Sequence, residues 1–219
     1  MAEGDAELPR WGGLTEPMTV ATDVVIAVLA FVFAARLGFP SAEGSVARGW
    51  LAGAMLATGI SAVVGALAHG TSPANDALRD GLWRATVYVT GLIGATTIGS
   101  VAFFAAQGTA RTVILAFAAI KLVGFMYRAT RRPEFRVVAA DYGIVLAMVL
   151  VGAVIELVRR RAPGMTWLIA GVLVSLVGVI VQARRVALHR HFNHNDLYHV
   201  IQMVALYAFY RGGALLVDR

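Results

Sequence analysis

Seven runs of about twenty apolar residues, parted by short polar breaks, decide the solvent of this chain; they fall at 18–39, 46–69, 82–106, 112–127, 137–158, 165–182 and 197–217. At 1.5 Å per residue, a run of about twenty residues reaches roughly 30 Å, the thickness of a bilayer's hydrocarbon core. The breaks use strong helix punctuators: Pro40, then Gly70 with Thr71-Ser72-Pro73-Ala74-Asn75-Asp76, and later Pro133. Arginine clusters close the fourth, fifth and sixth runs, at Arg128, Arg131 and Arg132, at Arg159-Arg160-Arg161, and at Arg184-Arg185. The expected fold is an all-α membrane protein, a seven-transmembrane-helix bundle over residues 18–217 behind an extramembrane N-terminal segment, 1–17. The fourth span is expected to be the shortest, and no loop is long enough to fold separately.

Composition agrees with lipid as the solvent. Hydrophobic residues are 58% and charged residues 15% of the chain, against roughly 45–50% and 25% in soluble domains. The net charge of +6 is mostly arginine placed between apolar runs, which suits lipid headgroups rather than nucleic acid. Membrane lipids are therefore the expected partners, in a multi-pass protein of the cell membrane. Cysteine is absent, which removes disulfides and thiolate metal sites. The N-terminal segment carries Glu3, Asp5, Glu7 and Glu16 and lacks the basic start of a signal peptide, so the first span is expected to be retained. Arginines in alternate loops nearly balance, with a slight excess on the N-terminal side that favours a cytoplasmic N-terminus. Small residues such as Gly53, Ala54, Ala57 and Gly59, or Gly91, Gly94, Ala95 and Gly99, let neighbouring helices approach closely.

Ionisable groups at membrane depth cost several kcal/mol unless they pair or meet water, so each one is a candidate for function. Threading the runs across the bilayer sets Asp23, His69, Asp80, Lys121, Asp141, Gln182, His194, Asp196, His199 and Gln202 toward the face that carries the N-terminus. A polar cavity open on that side is the economical reading, with Lys121 and Asp141 expected to form an ion pair. In the opposite half only Glu156, Arg36 and Arg211 occur, near span ends where long side chains snorkel to the interface.

Of the five histidines, four lie between His189 and His199, and His69 joins them on the same face. Neutral imidazole is the commonest ligand of transition metals, and a catalytic zinc needs three protein donors and an open position for water. His69, His199 and one further His or Asp would supply that set. Asp196 lies three residues before His199, on the same helical face, whereas His194, five before, works from a non-helical entry. His189 and His191 belong to the arginine-rich loop.

At these residues the chain resembles the seven-span CREST superfamily, which includes alkaline ceramidases and the progestin and adiponectin receptors. That family has a Ser four residues before a His late in span 2, an Asp near span 3, and His-x-x-x-His opening span 7. His69, Asp80 eleven residues on, and His199 match those positions; Gly65 replaces the Ser and Asn195 the first span-7 His. The resemblance implies a zinc-dependent hydrolase of lipid amides or esters. Zinc would be held by His69, His199 and either His194 or Asp196, with Asp80 as the catalytic group that takes or orients the proton of a bound water. Gly65 and Asn195 favour the rival, a seven-span protein that binds a ligand or transduces without turnover. A third reading is a proton or ion pathway through Asp23, Lys121, Asp141 and the histidines. A retinal pigment is set aside, since the seventh run has no lysine for a Schiff base.

Overall fold

The apolar runs fold into seven α-helices in the computed structural model, which describes residues 10–11, 14–38, 45–189 and 192–219. The helices are α1 (Pro17–Gly38), α2 (Val46–Gly70), α3 (Asp76–Ala105), α4 (Gly108–Arg131), α5 (Phe135–Arg160), α6 (Gly164–Ala183) and α7 (His194–Gly213). A 3-10 turn at Pro73–Asn75 leads into α3, and two short antiparallel strands, β1 (Arg10–Trp11) and β2 (Leu14–Thr15), precede α1. Pro17 opens α1 at the first helical position, where its missing N–H costs nothing. The expected stop at Pro40, most of the 1–17 segment and His191 lie outside the described residues.

Six helices, α1 to α6, are long and apolar enough to cross a membrane, which marks a multi-pass membrane protein by length and composition. The expectation of seven such spans is met by six. α7 has 20 residues, but His194, Asn195, Asp196, His199 and Gln202 occupy its first turns and lower its apolarity. The fourth span is also longer than its apolar run. α4 has 24 residues and is not the shortest helix, because Gly108 to Arg111 and Arg128 to Arg131 continue the helix past the hydrophobic stretch.

Helix neighbours form a closed ring: α1 packs on α2, α2 on α3, α3 on α5, α5 on α6, α6 on α7, and α7 on α1. α4 stands outside it, mainly against α3, and buries only Ala118, Phe125 and Ala129. At one end the ring is filled by the main apolar core, with Leu37, Leu51, Phe104, Leu168 and Phe209 among its members. The other end, where α1, α3, α5 and α7 begin and α2 and α6 finish, holds the polar residues described below.

The apolar end is sealed by the last two residues. Glu156 does not snorkel as expected; it is 3% exposed and pairs with Arg160 at 3.3 Å and Arg219 at 3.4 Å. Arg219 also donates its amide to the Phe103 carbonyl at 2.9 Å, and its own carbonyl accepts from Arg111. Arg36 and Arg211 are exposed, as expected, and the Arg211 guanidinium lies 5.0 Å from the ring centre of Trp167.

Asp218 caps α2, accepting from the Ser45 hydroxyl at 2.7 Å and from the amides of Val46 and Ala47 at 2.7 and 2.8 Å. Burial acts to raise its pKa, but the Ala47 amide, the Ser45 hydroxyl, the Val46 amide and Arg111 outweigh burial and hold it below its ordinary value of 3.8. A depressed carboxylate stabilises the fold fully above its ordinary pKa, and that contribution disappears as pH falls through the folded value. Asp218→Asn is expected to cost roughly 1 kcal/mol at neutral pH, the usual worth of a helix cap. The gap from wild type should narrow below about pH 4, near the ordinary carboxylate range. Thermal unfolding between acid and neutral pH checks this, and a gap that stays constant with pH counts against it.

Candidate functional site

The spacing Thr19-x-x-Thr22-Asp23 puts three polar side chains on one face of α1, and that face meets the start of α7. The Thr19 hydroxyl donates to Asp196 Oδ1 at 2.8 Å, while Asp196 Oδ2 accepts from the Asn193 amide at 2.7 Å. Asn193 in turn accepts from the amides of Asn195 and Asp196, which completes a capping box at the α7 N-terminus. Asp196, 1% exposed, therefore has both oxygens committed to holding α7 in register against α1.

One turn further along α7, His199 Nδ1 lies 2.8 Å from the Thr22 hydroxyl and Nε2 lies 3.6 Å from Asp23 Oδ1. Thr22 gives its single proton to the Thr19 carbonyl at 2.9 Å. It must then accept from Nδ1–H, and a neutral His199 presents the Nε2 lone pair toward Asp23. From the end of α2, His69 Nδ1 meets Glu16 Oε2 at 3.2 Å. Burial acts to raise the pKa of Glu16, but the hydrogen bond and charge of His69, helped by Arg79, bring it below its ordinary value. Gln182 at the end of α6 donates to Asn195 Oδ1 at 2.7 Å.

Asp23, His69, His199, Gln182, Asn195 and Gln202 all line one cavity of about 340 Å³ inside the ring. All six ring helices contribute to its wall and α4 contributes nothing. Trp83, Phe135, Tyr142, Tyr198, Ile26, Ile93 and Leu206 supply its apolar part. Trp83 is anchored from behind by donating its indole N–H to the Pro133 carbonyl at 2.7 Å. Among the described residues, Asp23 Oδ2, Gln182 Oε1 and Gln202 Nε2 are buried without a hydrogen-bond partner. These orphans come from three different helices, and buried polar atoms in native proteins are ordinarily satisfied.

The family model that fits this chain runs over residues 18–218 and describes a family of unknown function. The chain belongs to the DUF6962 family. No curated protein and no solved structure matches it.

Within this DUF6962 fold the expected site residues separate into two groups. His69 and His199 come to the same cavity. Asp80, the expected catalytic group, does not: α3 begins at Asp76, so no loop remains to fold Asp80 back, and it is exposed outside the cavity wall. His194 is the first residue of α7 and lies outside that wall, and Asp196 is consumed by the cap. Among the described residues no three His, Asp or Glu side chains converge as a metal-holding group, so the donors as arranged do not fit the three-ligand zinc set. Thr22 and Glu16 were not singled out as site residues from sequence. The three- and four-residue spacing on α1 was the available signal for Thr22; Glu16 carried none, since its contact with His69 depends on the turn before α1.

Lys121 and Asp141 form the expected ion pair, with Nζ 2.6 Å from a carboxylate oxygen, outside the cavity wall. Gly94 of α3 makes room for it. A Cβ there would stand 3.0 Å from Lys121 Nζ and 3.1 Å from Asp141 Oδ2.

Proposed function

We propose that this protein is a seven-span protein of the cell membrane that binds a small amphiphilic ligand between its helices, without turnover. The observation that carries this is the coincidence, in one cavity, of three orphaned polar atoms and a largely apolar, aromatic lining. Its volume lies in the range of sites for small organic ligands, roughly 300–1,000 Å³. A polar head would take up the free hydrogen-bonding capacity of Asp23, His199, Gln182 and Gln202. The apolar body would lie against Ile26, Ile93 and Leu206. As the seventh crossing, α7 would turn its polar first turns into the cavity rather than toward lipid, which explains its lower apolarity without removing it from the membrane. The two ends of the chain would then lie on opposite faces, and reporter fusions at each end test this.

Zinc-dependent hydrolysis of a lipid amide, the activity that the CREST resemblance implies, is the second reading. Its support is that His69 and His199 share the cavity and each faces a carboxylate, Glu16 at 3.2 Å and Asp23 at 3.6 Å, a pattern common behind metal-bound imidazoles. It needs a third donor that the present arrangement does not bring in. One preparation separates the two readings. Purified in lipid nanodiscs, the protein is expected to release a co-purifying small amphiphile into organic extracts, and Ala62→Trp, which fills the cavity, is expected to abolish it. Zinc at one ion per chain, lost in His69→Ala and in His199→Ala, would instead establish the second reading.

A further inference from the structure

The geometry points to a ligand whose head is a primary ammonium: the cavity is a receptor for an amphiphilic monoamine. This inference rests on the ligand-binding reading above and adds the chemistry of the head. Among the described residues, the wall of the cavity contains the Asp23 carboxylate and neither lysine nor arginine. An anionic headgroup would meet Asp23 with only His69 to offset it, and that imidazole is already paired with Glu16 at 3.2 Å. Asp23 is 5% exposed, and its Oδ2 has no partner among the described residues. Its Oδ1 faces His199 Nε2 at 3.6 Å, where the hydrogen-bond accounting above leaves a lone pair. Two acceptors thus face each other across a gap that neither closes. A donor placed between them satisfies both without protonating either, and an ammonium brings three N–H groups and the compensating charge. Trp83 and Tyr198 also line the cavity, and aromatic rings attract cations.

Gly65 keeps the place open. A Cβ at this position would stand 3.4 Å from Asp23 Oδ2, so a serine there would bring a hydroxyl within reach of the same oxygen and satisfy it internally. Glycine in mid-helix is unfavourable relative to alanine, and here its absence of a side chain leaves Asp23 free for a ligand.

Equilibrium dialysis of labelled n-octylamine, n-octanol and octanoate against the full chain in phosphatidylcholine nanodiscs, with protein-free nanodiscs subtracted, tests this. Expected is saturable binding of one octylamine per chain, with octanol weaker by roughly ten- to a hundredfold, the worth of a charged hydrogen bond, and octanoate unbound. Asp23→Asn should weaken octylamine by that factor and leave octanol unchanged. Gly65→Ser, which keeps the carboxylate, should also weaken octylamine and serves as the second arm should Asp23→Asn fail to fold. Octanol bound as tightly as octylamine, octanoate bound more tightly, or octylamine binding indifferent to Gly65→Ser would each overturn the ammonium assignment while leaving a ligand cavity. Saturable binding of none of the three would overturn both.

Discussion

Lys121→Ala is expected to cost roughly 3–5 kcal/mol of stability, the usual consequence of stripping one partner from a buried ion pair. The Lys121 and Asp141 side chains are only 6% and 10% exposed, and the pair joins α4 to α5, two helices that otherwise meet sparingly. Without the ammonium, the Asp141 carboxylate would keep a charge at membrane depth with no partner on Gly94, and would either take up a proton or pull α4 away from α3. The double variant Lys121→Met, Asp141→Leu separates this from a general loss of packing. Replacing both charges by apolar groups of similar size removes the desolvation cost together with the attraction, so it should recover most of the loss. Thermal unfolding of the wild type, single and double variants in one detergent measures both effects. A single variant within about 0.5 kcal/mol of wild type, the range of an ordinary surface change, would show the pair to be solvated.

The seven helices were legible because apolar run length reports membrane crossing directly. Sequence and structure part where that signal mixes with another. The sequence reads α4 short because its end turns, Gly108-Thr109-Ala110-Arg111 and Arg128-Ala129-Thr130-Arg131, break the apolar run with arginine, while their alanines and arginines still propagate a helix as well as leucine does. The apolar run at 197–217 marks a seventh span, but α7 begins three residues earlier and its first turns carry His199 and Gln202 of the cavity wall, so length and composition single out only the other six. Glu156 was assigned to the interface from its place near a span end. One partner, Arg160, is a local i,i+4 neighbour, but the other, Arg219, stands 63 residues further along the chain, and nothing local to Glu156 or Arg219 announces that meeting.

The site was legible to the depth at which threading works. Placing polar residues by membrane height gathered Asp23, His69, Gln182, His199 and Gln202 at one end, and the bundle closes them around one cavity. Height does not give direction around a helix. Asp80 has the right height and the family spacing, yet the early start of α3 fixes it on an outward face. Lys121 and Asp141 also have the right height, but α4 stands outside the ring and the pair meets at Gly94 instead.

Asp196 is where sequence and structure assign different work to one residue, and its substitution separates them. As a metal ligand it would offer an oxygen to the cavity; as a cap it has none to offer, since Thr19 and the Asn193 amide occupy both at 2.8 and 2.7 Å. Asp196→Ala removes the reciprocal half of the capping box, worth about 0.5–2 kcal/mol, and leaves the buried Thr19 hydroxyl without its acceptor, worth about 1–3 kcal/mol. These groups share one network and will not add strictly, so a total of roughly 2–4 kcal/mol is expected. The variant should also bind the cavity ligand more weakly, because the register of α7 against α1 sets the approach of His199 to Thr22 and Asp23. Thr19→Val should reproduce part of the stability loss without touching the helix cap, and the two substitutions together should cost less than their sum. Thermal unfolding of the three variants reads the coupling, and metal content measured on the same samples reads the rival. A cap predicts lower stability with metal content equal to that of the wild type. Zinc lost from Asp196→Ala at unchanged stability would return the residue to the ligand role that its spacing from His199 suggested.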